Sequence, residues 1–300
     1  MGDMRRKTLP ILALFTGLAL IAHPLLWAQA PEAVQLTYKF APGTAVKYRI
    51  SQQLTGTRRL PGASMPSPID AELVSIIRVR CVQAFADGSL NLEISTETAN
   101  LKMGGKPVTG YQPPKEARKI WITPIGKVFG PAGQGSGGQQ RSPLDFGSIE
   151  SIVLTAILPD KPVSIGGTWA AELPLPFSAA SKLKLGFSLE KLELTPSGRA
   201  ARIKQVLSTP INPDASGGSN GARGSQEGQA DLLFSIDRGI LLSARGAIKS
   251  TVAVPMAAPM MPGESGNQQP QDNVATVVLD SKFTVELLPE GQGASGSAGK

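Results

Sequence analysis

Apolar and polar residues alternate with period two along most of this chain, the spacing of strands with one buried face. Val34 to Phe40 reads as one such strand, and Ala41-Pro42-Gly43 as the turn after it. Val46, Tyr48, Ile50 and Leu54 continue the alternation in a second. Ala71 to Ala86 is a long third strand. Asp87-Gly88 is a hairpin turn, and Leu90, Leu92 and Ile94 line one face of the strand that returns. Ala117–Thr123 and Lys127–Phe129 read as short strands. Leu183–Leu194 and Arg199–Leu207 form a hairpin about Pro196-Ser197-Gly198. Leu232, Phe234 and Ile236 alternate up to Asp237-Arg238-Gly239, from which a long strand, Ile240–Val254, runs back. Val277, Leu279, Phe283, Val285 and Leu287 mark the last strand.

One stretch breaks the pattern. Ile149, Ile152, Val153, Ala156 and Ile157 follow the i, i+3, i+4, i+7, i+8 spacing of a buried helix face. This predicts one main helix at about 148–158, stopped by Pro159 and Pro162. Gly166-Gly167 then permits a sharp turn, and Trp169 opens another strand.

Several strands span roughly 12 to 16 residues, against a usual length of about 5–6. Strands that long persist only when strongly twisted. The fold class is therefore mainly β. The expected form is a curved antiparallel sheet, half-barrel or clamshell-like, with the helix packed against its concave face. The alternative is a two-sheet β-sandwich.

Composition adds loops and an address. Many of the 33 Gly and 25 Pro gather in low-complexity segments, and these predict mobile loops at about 130–142, 209–229 and 255–273. Residues 289–300 read as a disordered tail. Arg5, Arg6 and Lys7, the apolar run Ile11–Ala22 and Ala28-Gln29-Ala30 have the form of a signal peptide over residues 1–30. This leaves one β-rich domain over 31–288 and predicts a periplasmic or secreted protein. The competing expectation is a retained N-terminal membrane anchor. No cysteine near the cleavage site offers a lipid attachment. The net charge of +7 falls to about +5 without that segment, which carries three cations and one anion. The remaining charge is dispersed, without the basic stripe and stacking aromatics of a nucleic-acid groove.

The chemistry available is narrow. His23, the one histidine, lies in the leader, and Cys81 is the one cysteine. The mature chain thus has no Ser-His-Asp or Cys-His arrangement, no sulfur-rich metal site and no internal disulfide. Gly217–Gly221 spells G-x-S-x-G, but in a Gly/Ser loop without the strand and helix that a nucleophile elbow needs. Gly133–Gly138 spells G-x-G-x-x-G without a βαβ unit. The Ser-x-x-Lys spacings at Ser181 and Ser188 lie on an alternating run, where residues three apart face opposite ways. Asp70 with Glu72, and Glu93 with Glu97, are the carboxylate pairs left for a hydrolase. Their spacing reads as an exposed sheet face. No cofactor and no metal is expected.

The segments LTYKFAPGTAVKYRI (Leu36–Ile50), LPDKPVSIGGTW (Leu158–Trp169) and FSIDRGILLSARG (Phe234–Gly246) together resemble an exported bacterial protein family of unknown function. The match runs from about Leu36 to Leu287. In β-rich architecture that family is similar to the clamshell half-barrels that carry lipids or lipoproteins across the periplasm. What the resemblance implies is localisation and fold class and, by analogy, a binding role.

The expected activity is non-enzymatic binding of an apolar ligand, a lipid or a lipidated peptide, on the concave face. The candidate wall residues are Trp169, Ile152, Val153, Phe187 and Phe283. Met65, Met256, Met260 and Met261 lie in the hairpin tips Gly56–Pro68 and Pro255–Asn273, which are candidates for docking on an envelope surface. These thioethers could also hold copper(I), a soft ion; the plainer reading is a flexible apolar loop. The first alternative is a structural or protein-interaction module whose sheet is filled by its own side chains. The second is a carboxylate-based hydrolase. Oligomeric state is left open.

Overall fold

The computed structural model describes residues 32–113, 116–129, 156–175, 178–211, 223–255 and 274–289. Fourteen strands occupy most of them: β1 (Ala33–Val34), β2 (Ala45–Arg59), β3 (Ser67–Ala84), β4 (Leu90–Met103), β5 (Lys106–Pro107), β6 (Arg118–Ile122), β7 (Val128–Phe129), β8 (Val163–Ser164), β9 (Thr168–Leu175), β10 (Ser178–Thr195), β11 (Gly198–Ile211), β12 (Arg223–Ser235), β13 (Ile240–Pro255) and β14 (Val274–Leu287). Twelve of them form one antiparallel sheet in the order β7-β6-β4-β3-β2-β14-β13-β12-β11-β10-β9, with β5 beside β4. The sheet is large and not closed into a barrel. Strands β1 and β8 form a separate two-stranded pair.

Most neighbours in the sheet are also neighbours in sequence, because short turns join them. The Asp87 carboxylate accepts hydrogen bonds from Ser89 N (2.9 Å) and Ser89 Oγ (3.0 Å), which fixes the β3–β4 turn. Those bonds hold the exposed Asp87 carboxyl below the usual range. Gly239, in the β12–β13 turn, has φ +63°, and a Cβ there would meet Lys39 N at 2.4 Å. Only glycine serves both the left-handed backbone and this close approach. The exception to sequence order is the seam where β14 lies between β2 and β13.

Alternation makes one face of the sheet the inner face. Tyr48, Ile50, Leu73, Ile77, Leu92, Leu189, Ile203, Leu232, Ala244 and Val285 are all buried on it. Two segments outside the large sheet, Val34–Tyr38 and Ala156–Val163, belong to the same hydrophobic core. The Tyr38 hydroxyl donates to Ala156 O (3.0 Å), and its ring meets Phe234 edge-on at 5.3 Å. Tyr38 N donates to Pro124 O, Lys39 N to Gly239 O and Leu158 N to Ile125 O. These bonds hold the two segments at the end of the sheet that carries the Asp87 and Asp237 turns.

Several expectations from the pattern change here. Among the described residues there is no helix. Residues 148–155, including Ile152 and Val153, lie outside the described set, and Ala156–Leu158, the end of the expected helix, is not helical. Its backbone groups are taken by tertiary partners: Tyr38 on the Ala156 carbonyl, Trp169 on the Ile157 carbonyl, and Ile125 O on the Leu158 N–H. Val34–Phe40 buries alternate residues as expected, yet only Ala33–Val34 is strand, because the rest bonds to turns instead of a strand neighbour. The loop expected over 209–229 is partly sheet: Thr209 pairs with Gln226 and Ile211 with Gly224. Pro255 ends β13 opposite Val274. The tip expected over Gly56–Pro68 narrows to Leu60–Pro66, since β2 reaches Arg59 and β3 starts at Ser67. Residues 1–31, 130–142, 256–273 and 290–300 fall outside the described set. No helix among the described residues is long and apolar enough to cross a membrane.

Candidate functional site

Pairing register carries one row of side chains straight across the inner face. Trp169 on β9 faces Phe187 on β10, and Phe187 faces Gln205 on β11. Gln205 faces Ala230 on β12, and Ala230 faces Gly246 on β13. Gly246 faces Phe283 on β14, Phe283 faces Gln52 on β2, and Gln52 faces Leu73 on β3. Three of the five wall candidates, Trp169, Phe187 and Phe283, therefore share one row although 114 residues separate the first from the last. The other two, Ile152 and Val153, are outside the described residues.

Each aromatic is fixed by a different contact. Trp169 stacks on Phe187, ring centroids 5.4 Å apart and planes 7° from parallel, and Trp169 Nε1 donates to Ile157 O at 2.8 Å. Phe283 lies over Gly246: a Cβ at Gly246 would sit 2.6 Å from Phe283 Cζ and 2.6 Å from Gln229 O. The glycine makes room for the ring.

Polar groups on this face are uncharged. The buried polar side chains among the described residues are Gln52, Ser75, Ser89, Gln205, Thr209, Ser235 and Ser281, with no Asp, Glu, Lys or Arg. Gln52 Nε2 donates to Ser281 Oγ at 3.2 Å, and Thr209 Oγ1 accepts from Lys184 N at 2.8 Å. Ser75 Oγ has no hydrogen-bond partner. Sequence reasoning passed over Gln52, Gln205 and Ser281. Their signal is visible in the alternation: each sits at an apolar position, Gln52 between Ile50 and Leu54, Gln205 between Ile203 and Leu207, Ser281 between Leu279 and Phe283.

Beyond this row, away from the Asp87 and Asp237 turns, the inner face is mostly apolar, with Ser281 and Thr209 as its buried polar side chains. Leu54, Ala71, Leu207, Leu185, Leu183, Leu279 and Val252 are buried there. Leu54, Ala71 and Leu279 form a cluster of their own, with Ile69 and Val277 packed against it.

The outer face has different chemistry. A groove of about 790 Å³ is lined by outer-face Glu72, Lys204, Asp231, Arg245 and Lys282, and Gly246 and Phe283 also border it. A second, of about 700 Å³, lies at the turn end and is bordered by Lys47, Arg78, Glu97, Ser197 and Arg238. Both mix cations with anions. Of the carboxylates considered for hydrolysis, Glu72 pairs with Lys102 at 3.1 Å and Glu97 with Lys47 at 2.8 Å. Among the described residues no three His, Cys, Asp or Glu side chains converge as a metal site. Cys81 is buried, its Sγ 3.7 Å from Phe40 O, and burial raises its thiol pKa, so it is not an activated thiol. Met65 is 77% exposed at the β2–β3 tip. Met256, Met260 and Met261 lie outside the described residues.

No known family model and no curated protein sequence matches this chain.

Proposed function

We propose that this is an exported, non-enzymatic cell-envelope protein that holds an apolar, lipid-like ligand against the inner face of a curved, half-barrel sheet. The observation that carries the proposal is the extent of the apolar face. It continues through Leu54, Leu207, Leu185, Leu279 and Val252, past the Trp169–Phe283 row. The described inner segments, by contrast, bond to Pro124, Ile125, Gly239 and Trp169, at or on the turn side of that row. At a rise of about 3.3 Å per residue, strands this long outreach a single packed layer, and an acyl chain of matching length is the ligand such a face would take.

The chemistry of the face selects the ligand. With no ionised side chain buried there, an inserted charge would go unpaired at a cost of several kcal/mol. Hydrocarbon fits, and an ester or amide linkage could meet the Gln52 and Gln205 amides. Ten buried methylenes would contribute about 8 kcal/mol before immobilisation costs.

The alternative, a protein-interaction module with a self-filled core, has its own support. Tyr38 on Phe234 and Trp169 on Phe187 already fill the turn end of the sheet. Mass spectrometry of an organic extract separates the two, using protein purified without detergent. A co-purifying acyl lipid near one per chain, displaced by a fluorescent fatty-acyl probe, is the expected result. Protein free of lipid that also fails to take up the probe would replace the carrier with the interaction module.

A further inference from the structure

We propose that the tip joining β2 and β3 docks on an anionic lipid surface. Leu60 and Met65 would enter the boundary between headgroups and acyl chains, and Arg58 and Arg59 would engage lipid phosphates. This site lies outside the inner face and stands independently of any ligand held there.

Three observations meet at the tip. The first is exposed apolar surface: Leu60 is 40% and Met65 77% exposed. Val274, two residues beyond the Thr276–Arg59 pair on the adjacent strand, is 37% exposed. A tip that served only as a solvated connection would not concentrate large apolar side chains. The second is charge of one sign. From Thr57 to Ile69 the chain has two arginines and no carboxylate. Arg58 and Arg59 are exposed, and neither has an ion pair among the described residues. The nearest carboxylates along the sheet, Asp70 and Asp280, flank Thr55, four residues back from Arg59 and about 13 Å away at the usual rise. Arg223 joins the same rim, because Arg59, Thr276, Ala253 and Arg223 form one transverse row. The third is a shaped tip. Ala63 N donates to Leu60 O at 3.1 Å, and Gly62 takes φ +74° between Pro61 and Ala63. Two prolines and a closed turn limit the freedom that insertion would have to remove.

Apolar side chains projecting from a ring of guanidinium groups fit a bilayer carrying phosphate headgroups. Guanidinium binds phosphate through paired hydrogen bonds, and each such cation near an anionic surface strengthens partition about fivefold. A nucleic acid would find no aromatic side chain at the tip on which to stack its bases.

The test is co-sedimentation of the full mature chain with vesicles of phosphatidylcholine alone and of phosphatidylcholine mixed with phosphatidylglycerol. The wild type should favour the anionic vesicles, less so as salt rises. Arg58→Gln/Arg59→Gln should lower that partition about 30-fold, and Leu60→Ser/Met65→Ser should also lower it. Lys119→Gln/Lys204→Gln, equal in charge change but on distant strands, should bind as wild type. A polarity-sensitive dye on Met65→Cys should shift to the blue only with anionic vesicles; Cys81 is buried and stays unlabelled. Equal partition by the two charge variants would overturn the proposal, as would an unmoved dye or retention on a soluble polyanion without vesicle binding. The dye needs no arginine substitution, so it decides the matter even if the charge variants fold poorly.

Discussion

Two phenols show what single residues contribute. Tyr38 and Tyr48 are both buried, and the Tyr48 hydroxyl donates across β14 to Leu241 O at 3.0 Å. Loss of solvent drives both pKa values well above the ordinary value near 10; for Tyr48 the neighbouring Arg238 charge offsets part of this. The unfolded chain therefore releases these protons above pH 10 while the folded chain retains them. Their contribution is complete below that pH and is lost as pH rises further. The urea midpoint of the wild type should fall on the alkaline side of pH 10, and Tyr38→Phe/Tyr48→Phe should flatten that fall. Parallel pH profiles for the two proteins would show that other groups control it. Trp169 supplies a stack and a hydrogen bond. Trp169→Ala should cost about 3 kcal/mol, and Trp169→Phe, which keeps the stack and leaves the Ile157 carbonyl unpaired, about 1 kcal/mol. Denaturant melts measure both, and equal midpoints for wild type and Trp169→Ala would make Trp169 peripheral.

At the scale of elements, strands carry nearly everything, and their limits were partly legible in the sequence. The Asp87, Pro196 and Asp237 turns end strands where the pattern placed them, because their residue types define the turn locally. Alternation read the inner positions of β2 and β4, and Leu279, Phe283 and Val285 of β14, correctly, for burial on a sheet follows period two directly. Glycine-rich sequence was misleading at Arg223–Gln229. There Gly224 and Gly228 sit where a Cβ would meet Thr251 O at 1.8 Å and Ala247 O at 2.7 Å, so these glycines permit tight strand contact instead of marking a loop. The end of the helical pattern misled for another reason: Ala156–Leu158 bury apolar side chains as expected, but their backbone partners lie more than 30 residues away, on Tyr38 and Ile125, or on Trp169. Gly246 allows a direct test of this use of glycine. Gly246→Ala should destabilise by about 1–3 kcal/mol, through contact with Phe283 and the Gln229 carbonyl. Adding Phe283→Leu should recover part of the loss, and strictly additive urea midpoints would show that the ring does not press on position 246. One edge is handled within the sequence too: β9 includes Pro174, which has no N–H to offer a stray strand.

At the scale of the molecule, the candidate face was legible as chemistry but not as a place. Trp169, Phe187 and Phe283 could be chosen as large apolar residues, yet nothing local in the sequence aligns β9, β10 and β14 so that they share a row. That alignment depends on the register of the five successive pairings from β9 to β14, and one junction, β2 against β14, carries the row on to Gln52 and Leu73. Leu54 pairs with Ser281 there, 227 residues later in the chain. Five strands of the sheet path, with β5 beside β4, lie on one side of the junction and six on the other, β14 included. Loop-closure entropy must be met before so distant a pairing returns any stability. During synthesis the edge of β2 that β14 covers thus stays unpaired until the last described strand has been made. Assembly of the whole sheet is set to be slow and late.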